Sequence, residues 1–476
     1  MNLSASSHVH FIAICGTAMG SVAAMLKEQG HTVTGSDENV YPPMSSFLAE
    51  SGVRVLEGFD ADHLVPAPDL VVIGNAMSRG NPEVEAILER KLRYVSLPEI
   101  LKESFIRGRT SLVASGTHGK TTTSSMLAWM LDQAGLDPGF MIGGIPENFG
   151  GGARNGGGEF FVCEGDEYDT AFFDKRSKFV HYLPDGLIIN NIEFDHGDIF
   201  DDIDDILLSF RRLVVLIPRN GVVLAAGGDP NVAAVLDTTH CPVESFGLDE
   251  GSDWIGANVR LNQNRTSFDV VRNNQTMGRC DLPMLGEHNV KNALGVIALA
   301  SHYGVAVEDS CRYMADFKGV RRRLQIASNV GGRTLFDDFA HHPTAIAATL
   351  KTVRDSFPDC RLWAVIEPRS NTAVRSILQQ ELTQALGLAD RAVIGPIHRL
   401  DKVPKDERLD VDAVIGDLAA LGCDGIHITD PDKITQLLDC ETRTGDVVVI
   451  MSNGGFGGLV KKTADLWESD YQDRNV

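Results

Sequence analysis

The sequence lacks any run of about 18 consecutive apolar residues, which excludes a membrane-spanning helix. The opening MNLSASSHVHF has neither a basic region nor an apolar stretch of signal length, so secretion is not expected. Cysteine is sparse and scattered: eight residues and no CxxC pair. Disulfide scaffolds are small and cysteine-dense, so the pattern predicts a reduced, cytoplasmic chain. Positive charge is also short, with 43 Lys and Arg against 65 Asp and Glu, a net charge of −22. Nucleic acid and anionic membrane surfaces need clustered cations, so neither is expected as a main partner. A local basic site for a small anionic ligand stays open. No internal repeat and no low-complexity tail are present.

What is there is enough apolar material for several cores. Hydrophobic residues make up 43% of 476, and that length predicts two or three domains. Three blocks each open on a short apolar strand. The first starts with His8 to Ile14, then a glycine turn, a helical pattern from Met19 to Gln29, and further strands at His31 to Asp37 and Asp69 to Gly74. The second starts near Gly108. The third follows GVRRR (319–323), with strands at Arg361 to Ile366, Arg391 to Ile394, Gly425 to Thr429 and Val447 to Met451. Alternating strand and helix signals predict parallel sheets covered by helices, an α/β class. Residues 143–158, GGIPENFGGGARNGGG, read as a flexible surface loop on composition; backbone brought close to a ligand is the sharper alternative. The acidic stretch Asp198 to Asp205 reads as a solvated helix start.

SGTHGKTTTS (115–124) carries the first chemistry. Two glycines, a lysine and hydroxyls lie between an apolar strand and a helical pattern. Backbone N–H groups at a helix start bind anions, Lys120 adds a point charge for the β- and γ-phosphates, and the Thr121 hydroxyl suits Mg²⁺. The usual Walker spacing fails, because Ala114 stands where its first glycine belongs. A chance glycine turn is the competing account. A second strand, Phe160 to Val162, ends in Cys163, Glu164, Gly165, Asp166 and Glu167; Glu164 is the first candidate for Mg²⁺, against an ordinary solvated acidic loop. A third strand, Gly186 to Ile189, runs into Asn190 to His196. A lone histidine there is more often packed than functional, but His196 can share a divalent site with carboxylates. Three such strand ends reinforce one another, because open parallel sheets bind ligands beyond the carboxyl ends of their strands. The first block carries CGTAMG (15–20) and then Asp37 about 20 residues on, a dinucleotide-like layout without its full glycine set. A nucleotide diphosphate fits there; NAD(P) is not supported.

GTHGKTT (116–122), NIEFDH (191–196), GEHNVKNA (286–293), GVRRR (319–323) and DDFAHHPT (337–344) occur in one order across nearly the whole chain. Together they resemble the Mur ligases, the ATP-dependent amide-forming enzymes of bacterial cell-wall synthesis. The resemblance implies three domains: a Rossmann-like UDP-sugar domain (1–107), a central P-loop ATPase-type domain (108–322) and a Rossmann-like peptide-binding domain (323–476). It implies that the lactoyl carboxylate of UDP-N-acetylmuramate takes the γ-phosphoryl of ATP and that an amine then displaces phosphate. Two groups of the family act on that sugar. One adds L-alanine, the other the tripeptide L-alanyl-γ-D-glutamyl-meso-diaminopimelate. EPRSNT (367–372) and MSNGGFGG (451–458) look like the tripeptide-adding group.

The resemblance assigns roles residue by residue. Lys120, Glu164, His196, Arg323 and His342 are the catalytic set. Gly116, Thr117, His118, Gly119, Lys120, Thr121, Thr122, His288, Asn289, Asn292, Arg323 and Asp338 are the ATP set, the asparagines facing adenine. Thr121, Glu164 and His196 hold Mg²⁺. Gly16, Thr17, Ala18, Met19, Ser36 and Asp37 receive the UDP-sugar. Arg369, Ser370 and Asn371 meet the peptide's carboxylates, since a guanidinium matches a carboxylate with two parallel bonds. Some relatives carry a carbamylated lysine; the corresponding stretch here, Ser209 to Leu213, offers Arg211 and Arg212, so none is expected. A different class, a nucleotide-binding regulatory module without ligation, competes; the strand-end acids and the Asp/His cluster at 337–342 speak against it.

Overall fold

Short apolar runs such as LVVI (70–73) and VVVIM (447–451) form fully buried strands in the computed structural model, which describes residues 6–474 apart from 263 and 399. Strands buried on both faces suit parallel sheets, and three mostly parallel sheets result. The first orders its strands Arg54–Glu57, Thr32–Asp37, His8–Ile12, Leu70–Ile73 and Tyr94–Ser96, all parallel. The chain leaves the central strand, His8–Ile12, toward both sides. Ile12 pairs with Ser36 on one flank and Ile73 on the other, so a crevice opens beyond it.

The second sheet has ten strands. At its centre Thr110–Ser115 lies between Gly186–Ile189 and Phe160–Gly165, parallel to both. Ser115 pairs with Ile189 on one side and Gly165 on the other, so the three strands end flush. An antiparallel meander, Trp254–Asn262, Arg265–Arg272 and Gln275–Leu282, extends one edge. The helix Lys120–Gln133 sits buried against the sheet and the helix Glu287–His302, its hydroxyl-rich first half included, with Met126, Leu127, Val290 and Leu294 in one core. On the opposite face Val113, Phe161, Ile189 and Phe210 join a cluster that continues into the first sheet through Val9, Phe11 and Val33.

The third sheet runs Gln325–Val330, Arg333–Asp338, Val447–Met451, Leu362–Ile366, Arg391–Ile394 and Asp424–His427. Only its first pair is antiparallel. Asp338 and Ile366 both pair with Met451, which sets three loops side by side: 339–342, 367–372 and 452–458. Separate apolar clusters cover its two faces. The α/β class expected from strand–helix alternation is the one observed. The acidic stretch does start a helix, Ile203–Val214, where Asp202 accepts from the N–H groups of Asp204 and Asp205. No helix among the described residues is long and apolar enough to cross a membrane.

Candidate functional site

The phosphate-type loop is built by backbone that only glycine adopts easily. Gly116 has φ +131° and Gly119 φ +82°. The exit of the neighbouring strand clamps it. Thr117 N–H donates to the Asn191 carbonyl (3.0 Å), His118 N–H to the Asn191 side chain (2.8 Å), and Glu193 N–H to the Thr117 hydroxyl (2.8 Å). Asn190 reaches Thr123 in the first turn of the helix. The N–H groups at the start of the helix Lys120–Gln133 therefore face the end of the sheet, where anions are favoured.

Lys120 donates to both oxygens of Glu167 (3.0 and 2.9 Å) and to the Thr117 carbonyl. Burial opposes its charge, but Glu167, Asp166 and Glu164 outweigh it and raise its pKa. The Thr121 hydroxyl donates to Glu164 (2.8 Å), whose other oxygen accepts from Gly143 N–H (2.7 Å). Arg323 arrives from the start of the third block, donating to the Thr121 hydroxyl (3.1 Å) and stacking over Phe339. His196 holds Nε2 at 3.4 Å from Glu167. Burial works to lower its pKa, yet Glu167 and Asp195 raise it overall. Asp166, Glu167 and His196 offer ligand atoms within 4.8 Å of one another.

The expected pairing is thereby redistributed. Thr121 and Glu164 do meet, but His196 and Lys120 meet Glu167, which is not among the residues expected from the sequence. Glu167 is only 2% exposed, and an acidic residue inside an acidic loop carries no sequence mark of burial. Glu193 is a second such acid. It lies at 3.4 Å from His118 and 3.7 Å from His342, and it accepts from Thr344 (2.6 Å).

Other candidates are engaged differently from expectation. His342 caps the helix Pro343–Ser356, accepting from Thr344 N–H at Nδ1, and its Nε2–H donates to the Phe194 carbonyl across the domain boundary (3.1 Å). Asp338 is buried and spends its oxygens on Leu324 and Ala340 N–H (2.6 and 2.8 Å), so it shapes the start of the third domain. Asn289 is buried, its amide donating to the Leu285 carbonyl (2.7 Å) and its Oδ1 accepting from Asn292 (3.3 Å). Asn292 instead abuts the phosphate-type loop: a Cβ on Gly119 would lie 2.7 Å from its Oδ1. His288 is exposed and Thr122 buried in the helix start. Arg211 turns to the Ala234 carbonyl.

In the first sheet Gly16 and Thr17 are exposed and Ala18 half-exposed where the helix Thr17–Glu28 begins, while Met19 is buried in the core. Asp37 fixes this turn by accepting from Cys15 and Asn39 N–H (both 2.9 Å). Ser36 does not face the turn. It is fully buried and donates to Glu83 (2.6 Å) because Glu83 is itself buried and needs donors.

Between the Glu167 cluster and the third sheet lies a cavity of about 500 Å³. Asp195, His196 and Asp198 line it from the middle domain; Arg369, Ser370, Asn371, Arg375, His398 and Asn453 line it from the third. Arg369 leans on Glu367 (3.4 Å), and a side chain at Gly454 would collide with the Arg369 stem.

Three family descriptions match in chain order: "Mur ligase family, catalytic domain" over residues 8–108, "Mur ligase middle domain" over 114–300 and "Mur ligase, glutamate ligase domain" over 322–454. A UDP-N-acetylmuramate–L-alanyl-γ-D-glutamyl-meso-2,6-diaminoheptandioate ligase of Haemophilus influenzae is 42% identical over 96% of this chain and 98% of its own. Its Escherichia coli namesake is 43% identical over 96% and 97%. The crystal structure of a murein peptide ligase from Psychrobacter arcticus superposes with a TM-score of 0.72 at 39% identity, covering 97% of this chain and 99% of that one. On these matches and on the order of its sites, the chain belongs to the Mur ligase family.

Proposed function

We propose that the protein joins the lactoyl carboxylate of UDP-N-acetylmuramate to the free amine of L-alanyl-γ-D-glutamyl-meso-diaminopimelate, with ATP as the energy source, in peptidoglycan recycling. The relatives named for this reaction support the substrates. The cavity is the observation that carries the choice of amine. Its volume of about 500 Å³ is in the range of drug-sized ligand sites, and a single alanine would leave most of it to water. Both nucleotides are cytoplasmic metabolites, so the reaction belongs in the cytoplasm.

A carboxylate is a poor electrophile, and transfer of the γ-phosphoryl gives it a leaving group. Charge gathers on phosphoryl oxygens, so cations must surround them. Lys120 and Arg323 supply two, and N–H groups of residues 116–122 supply oriented dipoles. Lys120 is held in place by Glu167 before ATP arrives and exchanges that carboxylate for phosphate when it binds. Mg²⁺ fits the donors present: the Thr121 hydroxyl with Glu164, and the Asp166, Glu167 and His196 group, all hard or borderline ligands. Bound there, it would neutralise the β- and γ-phosphates. Asn289 and Asn292 stiffen the loop's support; the nucleotide base rests near them. UDP docks on the helix start at Gly16 to Ala18, with Asp37 holding the turn. The peptide enters the cavity with its carboxylates toward Arg369, Ser370 and Asn371. Its amine points toward Asp195 and His196, next to the acyl phosphate.

The test is phosphate release with UDP-N-acetylmuramate and a panel of amines, products identified by mass. Tripeptide-dependent release is expected. Release with L-alanine and none with the tripeptide would sink this reading.

A further inference from the structure

The ligation chemistry above gives no task to three side chains that converge on the seam between the second and third domains. They are His118 from the phosphate-type loop, Glu193 from the exit of Gly186–Ile189, and His342 from the start of the helix Pro343–Ser356. Each offers a ring nitrogen or a carboxylate oxygen, and these atoms lie within 4.8 Å of one another. Oε2 of Glu193 stands 3.4 Å from Nε2 of His118 and 3.7 Å from Nδ1 of His342. Both spacings are longer than a good hydrogen bond. They are close to the edge, roughly 3.4 Å, of a tetrahedron whose corners lie about 2.1 Å from a Zn²⁺ ion.

The proton inventory favours a cation between these atoms. A carbonyl oxygen only accepts, so the His342 nitrogen that faces the Phe194 carbonyl, Nε2 at 3.1 Å, carries the proton of the ring. Burial pushes the His342 pKa down, which keeps the ring neutral and Nδ1 bare. Burial by itself would raise the Glu193 pKa, but contacts with His118 and Thr344 lower it, so the carboxylate stays charged. A bare nitrogen and a carboxylate oxygen thus face each other with no proton between them. A positive ion there turns their repulsion into attraction, and both groups are already in the ionisation state a metal ligand needs.

The surroundings suit a ligand set. A metal-bound imidazole usually donates its other N–H to a carbonyl or carboxylate, and His342 does so already. The Thr344 hydroxyl steadies Oε2 of Glu193 (2.6 Å), while the Thr344 N–H reaches Nδ1 of His342 at 3.3 Å, a long bond that an ion displaces. His118 N–H is held by the Asn191 side chain and Glu193 N–H by the Thr117 hydroxyl, so both backbones are fixed. The His118 and Glu193 side chains are 21% and 34% exposed, which leaves a route in and room for water at a fourth position. Two imidazoles with one carboxylate select Zn²⁺ or Co²⁺ over Mg²⁺, which prefers oxygen.

We infer that His118, Glu193 and His342 form a transition-metal site, separate from the Mg²⁺ donors, at which Zn²⁺ staples the phosphate-type loop to the third domain. The bound ion holds the two domains together and slows a cycle that must open to release product. The site does not depend on which amine the enzyme joins.

The test loads the whole chain with Co²⁺, and separately with Zn²⁺, in excess Mg²⁺. Wild type is expected to show the visible absorption of tetrahedral Co²⁺ and to retain Zn²⁺ in equilibrium dialysis; absence of both overturns the inference. His342→Gln and Glu193→Gln are each expected to lose the Co²⁺ band and to bind Zn²⁺ at least about tenfold more weakly, since losing even a partner of a ligand costs that much. Glu167→Gln is expected to keep both signals, because Glu167 belongs to the Mg²⁺ donors. Binding lost in Glu167→Gln alone puts the ion among those donors and overturns the inference, as does binding unchanged in both His342→Gln and Glu193→Gln. Because His342 also caps a helix, its variant is checked by thermal melting; if it does not fold, Glu193→Gln decides alone. Zn²⁺ is expected to lower kcat of wild type and to leave that of Glu193→Gln unaffected at the same concentration. Equal inhibition of the two overturns the staple.

Discussion

Lys120 and Glu167 show how a single ion pair orders this site. The pair is nearly enclosed, with the side chains 13% and 2% exposed, and burial of one charge without the other is strongly unfavourable. Lys120→Ala is expected to abolish turnover while UDP-N-acetylmuramate still binds, because the two nucleotides occupy different sheets; calorimetry with each nucleotide separately checks it, and loss of both together would contradict the division. Glu167→Gln keeps the shape and removes the charge that orients Lys120 and His196. It is expected to lower kcat by about 10²–10³-fold, the scale for one misplaced electrostatic group, with KM for the peptide little changed in steady-state kinetics. Lys120 was legible in the sequence because lysine between glycine and hydroxyls at a helix start has few other uses. Glu167 was not, because four acids fall within 164–169 and only the fold selects which one turns inward.

The glycine-rich segment 143–158 makes the same point for an element. Composition by itself favours a flexible surface loop. The structure brings part of it against the site: Gly143 N–H holds Glu164, and a Cβ on Gly144 would lie 2.6 Å from Cγ2 of Thr121. Gly151 has nothing within 4 Å of its would-be Cβ. Gly144→Ala is therefore expected to displace Thr121 and cut ATP turnover at least tenfold, whereas Gly151→Ala should leave turnover unchanged and shift stability by less than about 1 kcal/mol. Parallel kinetic and thermal-melt measurements of the two variants decide it; equal behaviour would mean that the close approach at Gly144 is not required. Periodicity cannot separate these glycines, since neither lies in a strand or helix and the neighbours of Gly144, Thr121 and Val320, come from more than 20 residues away.

At the scale of the molecule, several of the contacts that hold the third domain on the second fall around the site. Arg323 meets Thr121, His342 meets the Phe194 carbonyl, Thr344 meets Glu193, and Thr372 meets Asp195 (2.8 Å). Closure of this kind excludes water from an acyl phosphate. His341 sits in the seam, its pKa pushed down from 6.5 to about 4 chiefly by burial, with Asp195 opposing. The unfolded chain therefore takes up a proton between pH 6.5 and about 4 that the folded chain declines. The His341 contribution to stability is complete above pH 6.5 and is lost as pH falls through that window. Melting temperatures measured across it should fall with acid, and His341→Gln should show a shallower fall; an identical slope would place that proton elsewhere.

The sequence by itself determined the α/β class, the family and the loop around Lys120, because strand–helix alternation and a glycine–lysine–hydroxyl turn are local patterns written in consecutive residues. Only the tertiary structure decided that Glu167 rather than Glu164 partners Lys120, that Ser36 and Asp338 are turned into their own domains, and that His118, Glu193 and His342 converge on one seam. Those choices depend on which strand ends lie flush and which side chains the fold turns toward one another. Residues separated by up to hundreds of positions fix both, and no local window of sequence contains them.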